Sequence, residues 1–460
     1  MTHFEILRDV SFDDIWNRLS DAERHVCCAR GTDSGWETFI AWNPRERYIA
    51  SRYDSLAALK DFVRGEQEQG RRIFGYLAYD LGYVLHEIEP RARNDPDTTR
   101  SAWLRGEKRL GHIHFAEQNS VVTDNDAAIN NDLQLPDILF YSFDAYVVCR
   151  EGGVLIRASN APALAAFSKS LKNILARNPA ERTADAHGTR ELASFASRDE
   201  YACSFESVKS HIIDGDIYQL NLTHRLEGST QKSSRELWSA LWEKNHADFS
   251  AYIEADGFEI LSASPERFIS VSADRRIGTF PIKGTRPRGA NVAEDEKLKD
   301  ELYGSEKETA ELTMITDLLR NDIGKVCEFG SVRVAHPRIV RAFASVWHAY
   351  SHITGVCARG IRSIDALLSM FPGGSVTGCP KKRAMEIIDE LEPTMRGVYA
   401  GSIGWIDPDD SADFNIAIRT LIKKGERVYL QVGGGIVYDS VEKDEYQETL
   451  DKAKSFLGIL

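Results

Sequence analysis

The sequence predicts an α+β fold, and three observations carry that prediction. Short strand patterns lie close together and are joined by tight turns, which favours antiparallel pairing. Amphipathic helices fall between them without a regular strand–helix–strand rhythm. With 460 residues, 42% hydrophobic and 28% charged, the composition is that of a soluble globular chain with ample core.

The elements follow in chain order. The opening stretch MTHFEILRDVSFDDIW has neither a basic nor an apolar leader region, so no signal peptide is expected. Glu117 to Gln134 is polar and reads as a surface loop ahead of the apolar run Leu135–Phe143. Ala176 to Ala196 is poor in large apolar residues and marks a boundary between an N-terminal region, 1–196, and a C-terminal region, 197–460. Ser197-Arg198-Asp199-Glu200 is a capping box opening a helix with the stripe Tyr201, Phe205, Val208 and Ile212. Strands are predicted at Phe258–Ala263, Arg267–Val271 and Val398–Ile403. A hairpin is predicted from Asn415–Ile422 through Lys424-Gly425 to Val428–Val432. Helices are expected at about 305–323, 378–391 and 442–457.

Charge and cysteine usage exclude several classes. Fifty-seven Lys and Arg against seventy Asp and Glu leave a net charge of −13, a field that repels nucleic acid and anionic membrane. No window approaches the roughly 18 consecutive apolar residues of a membrane span. Seven cysteines stand at 27, 28, 149, 203, 327, 357 and 379. The number is odd and there is no CxxC, which fits a reducing, cytoplasmic compartment better than a disulfide framework or a cysteine-rich zinc site.

Several chemical signatures are absent, among them Walker A, GxGxxG and GxSxG. His348 and His352 sit in HAYSH, which lacks the glutamate of a zinc-binding HExxH. The 305–323 helix is more informative. Its apolar stripe is Leu312, Ile315, Leu319 and Ile323, and Glu308 and Glu311 lie within it. Such carboxylates need a cation beside them or a raised pKa, and the edge of the stripe, a pairing arginine and a magnesium ion are the readings open to them. In the last helix the apolar side reads Tyr446, Leu450, Ala453 and Leu457. By the same periodicity Glu445 and Glu448 fall off it, with Glu448–Lys452 an exposed ion pair. Gly433-Gly434-Gly435 ends an apolar strand and is either a bulge or turn or a place where backbone N–H groups approach an anion. The stretch Phe371 to Arg383 leads into a helix with Thr377 as a plausible N-cap and Pro380 near its first turn.

Taken together, these segments resemble the chorismate-utilising enzymes, which include anthranilate synthase component I, aminodeoxychorismate synthase component I, isochorismate synthase and salicylate synthase. The matching blocks include GDIYQLNLTHRL (215–226), SASPERF (262–268), PIKGTRPRG (281–289), ETAELTMITDLLRNDIGKV (308–326), FPGGSVTGCPKKRAM (371–385) and GGGIVYDSVEKDEYQETLDKA (433–453). GYLAYDLGY (75–83) extends a looser match into the N-terminal part. The resemblance implies an anthranilate-synthase-component-I-like architecture, two large antiparallel sheets packed face to face with helices outside.

The same resemblance implies roles. Gln219 stands where the isochorismate and salicylate synthases carry a water-activating lysine. Lys283 stands where anthranilate synthases typically have Ala, and a lysine there is the mark of the aminodeoxychorismate synthases of the folate, p-aminobenzoate branch. The expected activity is therefore amination of chorismate at C4. A neutral Lys283 would attack C2 and ammonia would then attack C4. Glu266 resembles the general acid for the departing C4 hydroxyl, and His348 the family histidine near that carbon. Glu311 and Glu448 resemble direct magnesium ligands, with Glu308 and Glu445 supporting them through waters. This reverses the periodicity reading of the last helix. Tyr399, Arg419 and Gly433, Gly434 and Gly435 resemble the carboxylate pocket, to which Lys452 adds charge. Ser375 falls where relatives often have Thr.

Some features depart from the family pattern. Thr313 replaces a common His or Asn, and Leu312 beside it is unusual outside the aminodeoxychorismate group. The LLES segment tied to tryptophan inhibition is replaced by HVCCARGTDSG (25–35). No CxGxQ context is present, so ammonia is expected from a separate glutamine amidotransferase subunit. No lyase region follows, so pyruvate release is expected from another enzyme.

Overall fold

The computed structural model describes residues 3–31, 36–52, 54–90, 132–179, 192–343 and 346–460. The predicted loop at Glu117 to Gln134 lies outside the described residues up to position 131, as does 180–191 within the predicted boundary. Among the described residues the strands form a twelve-stranded and a ten-stranded sheet. Both are built of antiparallel pairs. The α+β class and the face-to-face sheets are as expected. Strands from before and after residue 196 pair within each sheet: Cys27–Arg30 with Phe249–Ala255, and Arg72–Leu77 with Ser402–Ile406.

Alternation along each strand explains the layers, because successive side chains point to opposite faces. Between the sheets, Phe39, Phe249 and Ile260 of the larger pack with Phe74, Tyr76, Ile403 and Trp405 of the smaller. The outer face of the smaller sheet buries Ile73, Ile269 and Ile353 against helices Leu56–Glu68, Glu306–Gly324 and Ser363–Met370. The larger sheet is covered by helices Ala161–Leu175, Ser234–Asn245 and Glu442–Leu457. No helix among the described residues is long and apolar enough to cross a membrane.

The capping box forms reciprocally between Ser197 and Glu200. Helix Glu306–Gly324 buries the four apolar residues of its predicted stripe. Other expectations need correction. Asn415–Ile422 is not one strand, since Ala412–Asn415 belongs to the smaller sheet and Thr420–Lys424 to the larger. The strand expected at Val398–Ile403 starts at Ser402. Thr377 is not an N-cap, because its hydroxyl donates to the Gly373 and Gly374 carbonyls and the helix begins at Lys381 after Pro380. Buried Lys381 binds Asp322 at 2.6 Å and donates to the Met370 and Pro372 carbonyls. In the last helix the buried face is Glu445, Thr449, Ala453 and Phe456, about one residue round from the periodicity reading. The shift is set by polar partners. Thr449 bonds His224 at 2.7 Å, and Ser440 donates to Glu445 at 2.6 Å.

Candidate active site

Two chain segments pass from one sheet to the other side by side. Strand Phe258–Ser264 of the larger sheet continues, after Pro265 breaks the ladder, as Arg267–Val271 of the smaller. Ile416–Arg419 makes the return crossing. The crossings are tied by Ala263 N–H to the Arg419 carbonyl at 2.9 Å and Ile416 N–H to the Glu266 carbonyl at 3.0 Å. Ser264 Oγ adds a bond to the Ile416 carbonyl at 2.6 Å. Glu266 and Arg419 therefore stand beside each other where the two segments change sheet. Arg419 holds φ of 49°, a left-handed conformation unusual for a side chain of its size.

Glu266 is buried. Desolvation raises its carboxyl to about 7, against the opposing effects of a Ser375 hydrogen bond, the Lys283 ammonium and the Ile282 N–H. This is a carboxyl that still carries its proton near neutrality.

Lys283 reaches the same place through a β-bulge. Strand Ile282–Pro287 pairs with Val346–Val356 so that Ile282 faces Tyr350 and Thr285 faces His348, which leaves one extra residue on the Lys283 side. Gly284 completes the bulge with φ of 91°, and a Cβ there would lie 2.8 Å from Leu302 and 3.0 Å from Glu308. Bulges of this kind re-aim side chains. His348 is fixed by a 2.8 Å contact between its Nδ1 and Thr285 Oγ1. Burial, and then the nearby Arg419 charge, push it down to about 3, so it is neutral at physiological pH.

The glycine run is part of a strand rather than its end. Gly433, Gly434 and Gly435 pair with Thr223, Leu222 and Asn221. A Cβ on Gly435 would stand 2.8 Å from Gln219 Nε2 and 2.9 Å from Lys283 Nζ, so the missing side chain makes the space these two nitrogens share. Pairing with Thr420–Lys424 stops at Leu430, so the other edge of the glycines takes no strand partner among the described residues. Arg419 immediately precedes that neighbouring strand. No carboxylate among the described residues pairs with its guanidinium, which leaves a cation for an incoming anion. Tyr399, buried and pushed up to about 12, bonds Asn221.

The carboxylates assigned to metal come from two helices. Glu308 Oε1 accepts from Arg286 at 2.7 Å, while its Oε2 is buried without a hydrogen bond and faces Gly284. Glu311 lies 3.9 Å from Lys307. Glu445 is buried, and desolvation raises its carboxyl. Glu448 is exposed and pairs with Lys452 at 2.8 Å, as periodicity indicated. Lys452 also donates to the Gly433 carbonyl at 2.7 Å. A Cβ on Gly434 would approach Glu445 and Lys452, so these two lie on the opposite face of the strand from Lys283. The structure thus gathers Lys283, Glu266, Ser375, His348 and Arg419 into one group. Among the described residues no three potential ligands stand close enough together to hold an ion as placed. The donor set nonetheless suits a hard cation, with all-oxygen ligands and one buried oxygen, Glu308 Oε2, left open.

Residues 24–458 match the chorismate binding enzyme family. The chain belongs to the chorismate-binding enzymes. Among its relatives in that family, anthranilate synthase component 1 3 of Haloarcula marismortui is 41% identical over 93% of this chain and 84% of its own. Aminodeoxychorismate synthase component 1 of Bacillus subtilis is 38% identical over 70% of each chain. The crystal structure of anthranilate synthase component I from Streptococcus pneumoniae superposes with a TM-score of 0.70 at 26% identity, covering 99% of this chain and 92% of that one.

Sequence reasoning named Gln219 but missed the polar row that it opens. Gln219, Asn221 and Thr223 alternate with Leu220 and Leu222, and all three are buried. Both side-chain atoms of Gln219 lack a hydrogen-bond partner. The alternation Q-L-N-L-T, read as a strand with one polar face, is the signal that would have found them. Thr285 and Arg286, which hold His348 and Glu308, carried no such signal.

Proposed function

We propose that the chain is the synthase component that aminates chorismate at C4, giving 4-amino-4-deoxychorismate. The observation that supports this reading most directly is Lys283, carried on a bulge beside Glu266 and the space left by Gly435. In this reading the Lys283 amine bonds to C2 while the C4 hydroxyl leaves, taking the Glu266 proton to depart as water. Ammonia then bonds to C4 as the C2–nitrogen bond breaks, and the lysine is released. Two allylic displacements keep the new amine at C4, whereas direct attack of ammonia at C2 gives the ortho isomer. Arg419, Tyr399 and the open edge of Gly433–Gly435 hold substrate carboxylate. Glu311 and Glu448, with Glu308 and Glu445 behind them, would hold magnesium, which neutralises charge on substrate and leaving group. Ammonia comes from a separate glutamine amidotransferase subunit, and the product feeds p-aminobenzoate and folate formation in the cytoplasm.

Anthranilate synthase is the second reading, favoured by the 41% identical relative of that name. The two separate in one assay of the chain with chorismate, magnesium and ammonium salt under mildly alkaline conditions, products being identified by mass and retention. The C4 amine is expected, and anthranilate as the main product would overturn the assignment.

Two further results follow. Arg419→Ala should raise KM for chorismate by about 10- to 100-fold, the value of a charge-assisted hydrogen bond. An unchanged KM would remove Arg419 from the pocket. At constant free ammonia, log kcat/KM for chorismate should bend downward by one unit of slope near pH 7, where Glu266 loses the proton it must hold to act. His348, neutral down to about 3, cannot produce that bend. A profile with no change of slope near 7 would show that Glu266 is not the acid.

A further inference from the structure

Cys327 and Cys357 face each other across an isolated antiparallel bridge. The flanking bonds define its type. Glu328 N–H donates to the Val356 carbonyl and Ala358 N–H to the Val326 carbonyl, both at 2.8 Å. Hydrogen bonds from the neighbours, with none between the two cysteines themselves, mark a non-hydrogen-bonded pair, whose Cα atoms stand about 4.5 Å apart. That spacing lies within the window of about 4.4–6.8 Å that a disulfide spans. Cys327 Sγ lies over Gly355, where a Cβ would be 2.5 Å from the sulfur. With no side chain on that glycine, nothing there blocks rotation of Sγ towards Cys357, two residues on along the same face. The other ladder cysteines face no cysteine: Cys27 faces Ala41, Cys28 faces Ile40, Cys149 faces Val154 and Cys379 faces Gln219.

We propose that Cys327 and Cys357 are a dithiol that a hydroperoxide closes into a cross-strand disulfide. Exposure divides the labour, since Cys327 is partly exposed and Cys357 is buried. The Cys327 thiolate attacks the peroxide oxygen, so an S–O bond forms, the O–O bond breaks and hydroxide leaves, taking up the proton the thiol released to depart as water and giving a sulfenic acid. The Cys357 thiol then attacks that sulfur, the S–S bond forms and hydroxide departs with the thiol proton as a second water. The peroxide is reduced by two electrons and the two sulfurs are oxidised by one each. Burial raises both thiols to about 11, so the pair reacts slowly and stays reduced in a reducing compartment. Closure would join the chain just beyond helix Glu306–Gly324, which carries Glu308 and Glu311, to the end of strand Val346–Val356, which carries His348. The bridged loop encloses the hairpin between them and constrains the unfolded chain.

The test is hydrogen peroxide treatment of the native chain, then alkylation and peptide mapping, with Cys327→Ser and Cys357→Ser alongside. The expected result is a peptide cross-linked through 327 and 357, lighter by about 2 Da than its reduced parts. Two thiols should be lost to alkylation, and Tm should rise in a way dithiothreitol reverses. Neither variant should show the cross-link or the rise. Both thiols remaining alkylatable in excess peroxide, Cys327 sulfinic acid without a cross-link, or a bond formed only in denaturant would each overturn the proposal.

Discussion

Lys283→Ala is expected to lose the C4 product by at least about 10³-fold, the scale on which removal of a covalent nucleophile acts. Its fold should survive, because Lys283 is only partly buried and sits at a bulge whose geometry Gly284 supplies. The informative readout is which isomer remains. With no amine to occupy C2, ammonia can still reach that carbon, so residual turnover should shift towards the ortho product. Total rate alone would not separate a lost nucleophile from a damaged pocket, whereas a change of isomer does. C4 product at wild-type rates would remove Lys283 from the chemistry.

Glu266→Gln is expected to cost about 10²- to 10⁴-fold in kcat, the usual contribution of a positioned general acid. Glutamine keeps the volume and can still accept from Ser375, so substrate affinity should change little. The variant should also lose the downward bend of log kcat/KM near pH 7, because the group raised to about 7 is then gone. If the bend persists in the variant, another group supplies the proton.

These two residues show what was legible in the sequence. SPERF and PIKGT single out Glu266 and Lys283 by wording, and the separate strands expected at Phe258–Ala263 and Arg267–Val271 leave Glu266 at the break between them. What the wording does not contain is the reason they meet. Glu266 lies where a strand changes sheets, and Arg419 lies on the return crossing, which is why the stretch Asn415–Ile422 looked like one continuous strand. Its apolar residues Ile416, Ala417, Leu421 and Ile422 are buried on both sides of the crossing, and hydrophobic pattern cannot distinguish one buried strand from two. Lys283 needs the bulge against Tyr350 and His348, a register effect between strands far apart in sequence. Helix Glu306–Gly324 was fully legible because its stripe packs on one sheet and its period is clean. The last helix was not, since Glu445 and Thr449 are buried through hydrogen bonds to Ser440 and His224, and periodicity counts such residues as outward-facing.

The central claim is that Lys283 forms a bond to the substrate, and intact-mass and peptide analysis of the trapped enzyme tests it most directly. Wild-type chain would be mixed with chorismate and magnesium, with ammonia withheld so that the second displacement cannot occur, then acid-quenched. The expected result is a mass gain of chorismate less one water, mapped to the peptide bearing Lys283 and discharged when ammonium is added before the quench. The gain should be absent in Lys283→Ala. An unmodified lysine in enzyme that makes the C4 amine under the same conditions once ammonia is supplied would contradict the account.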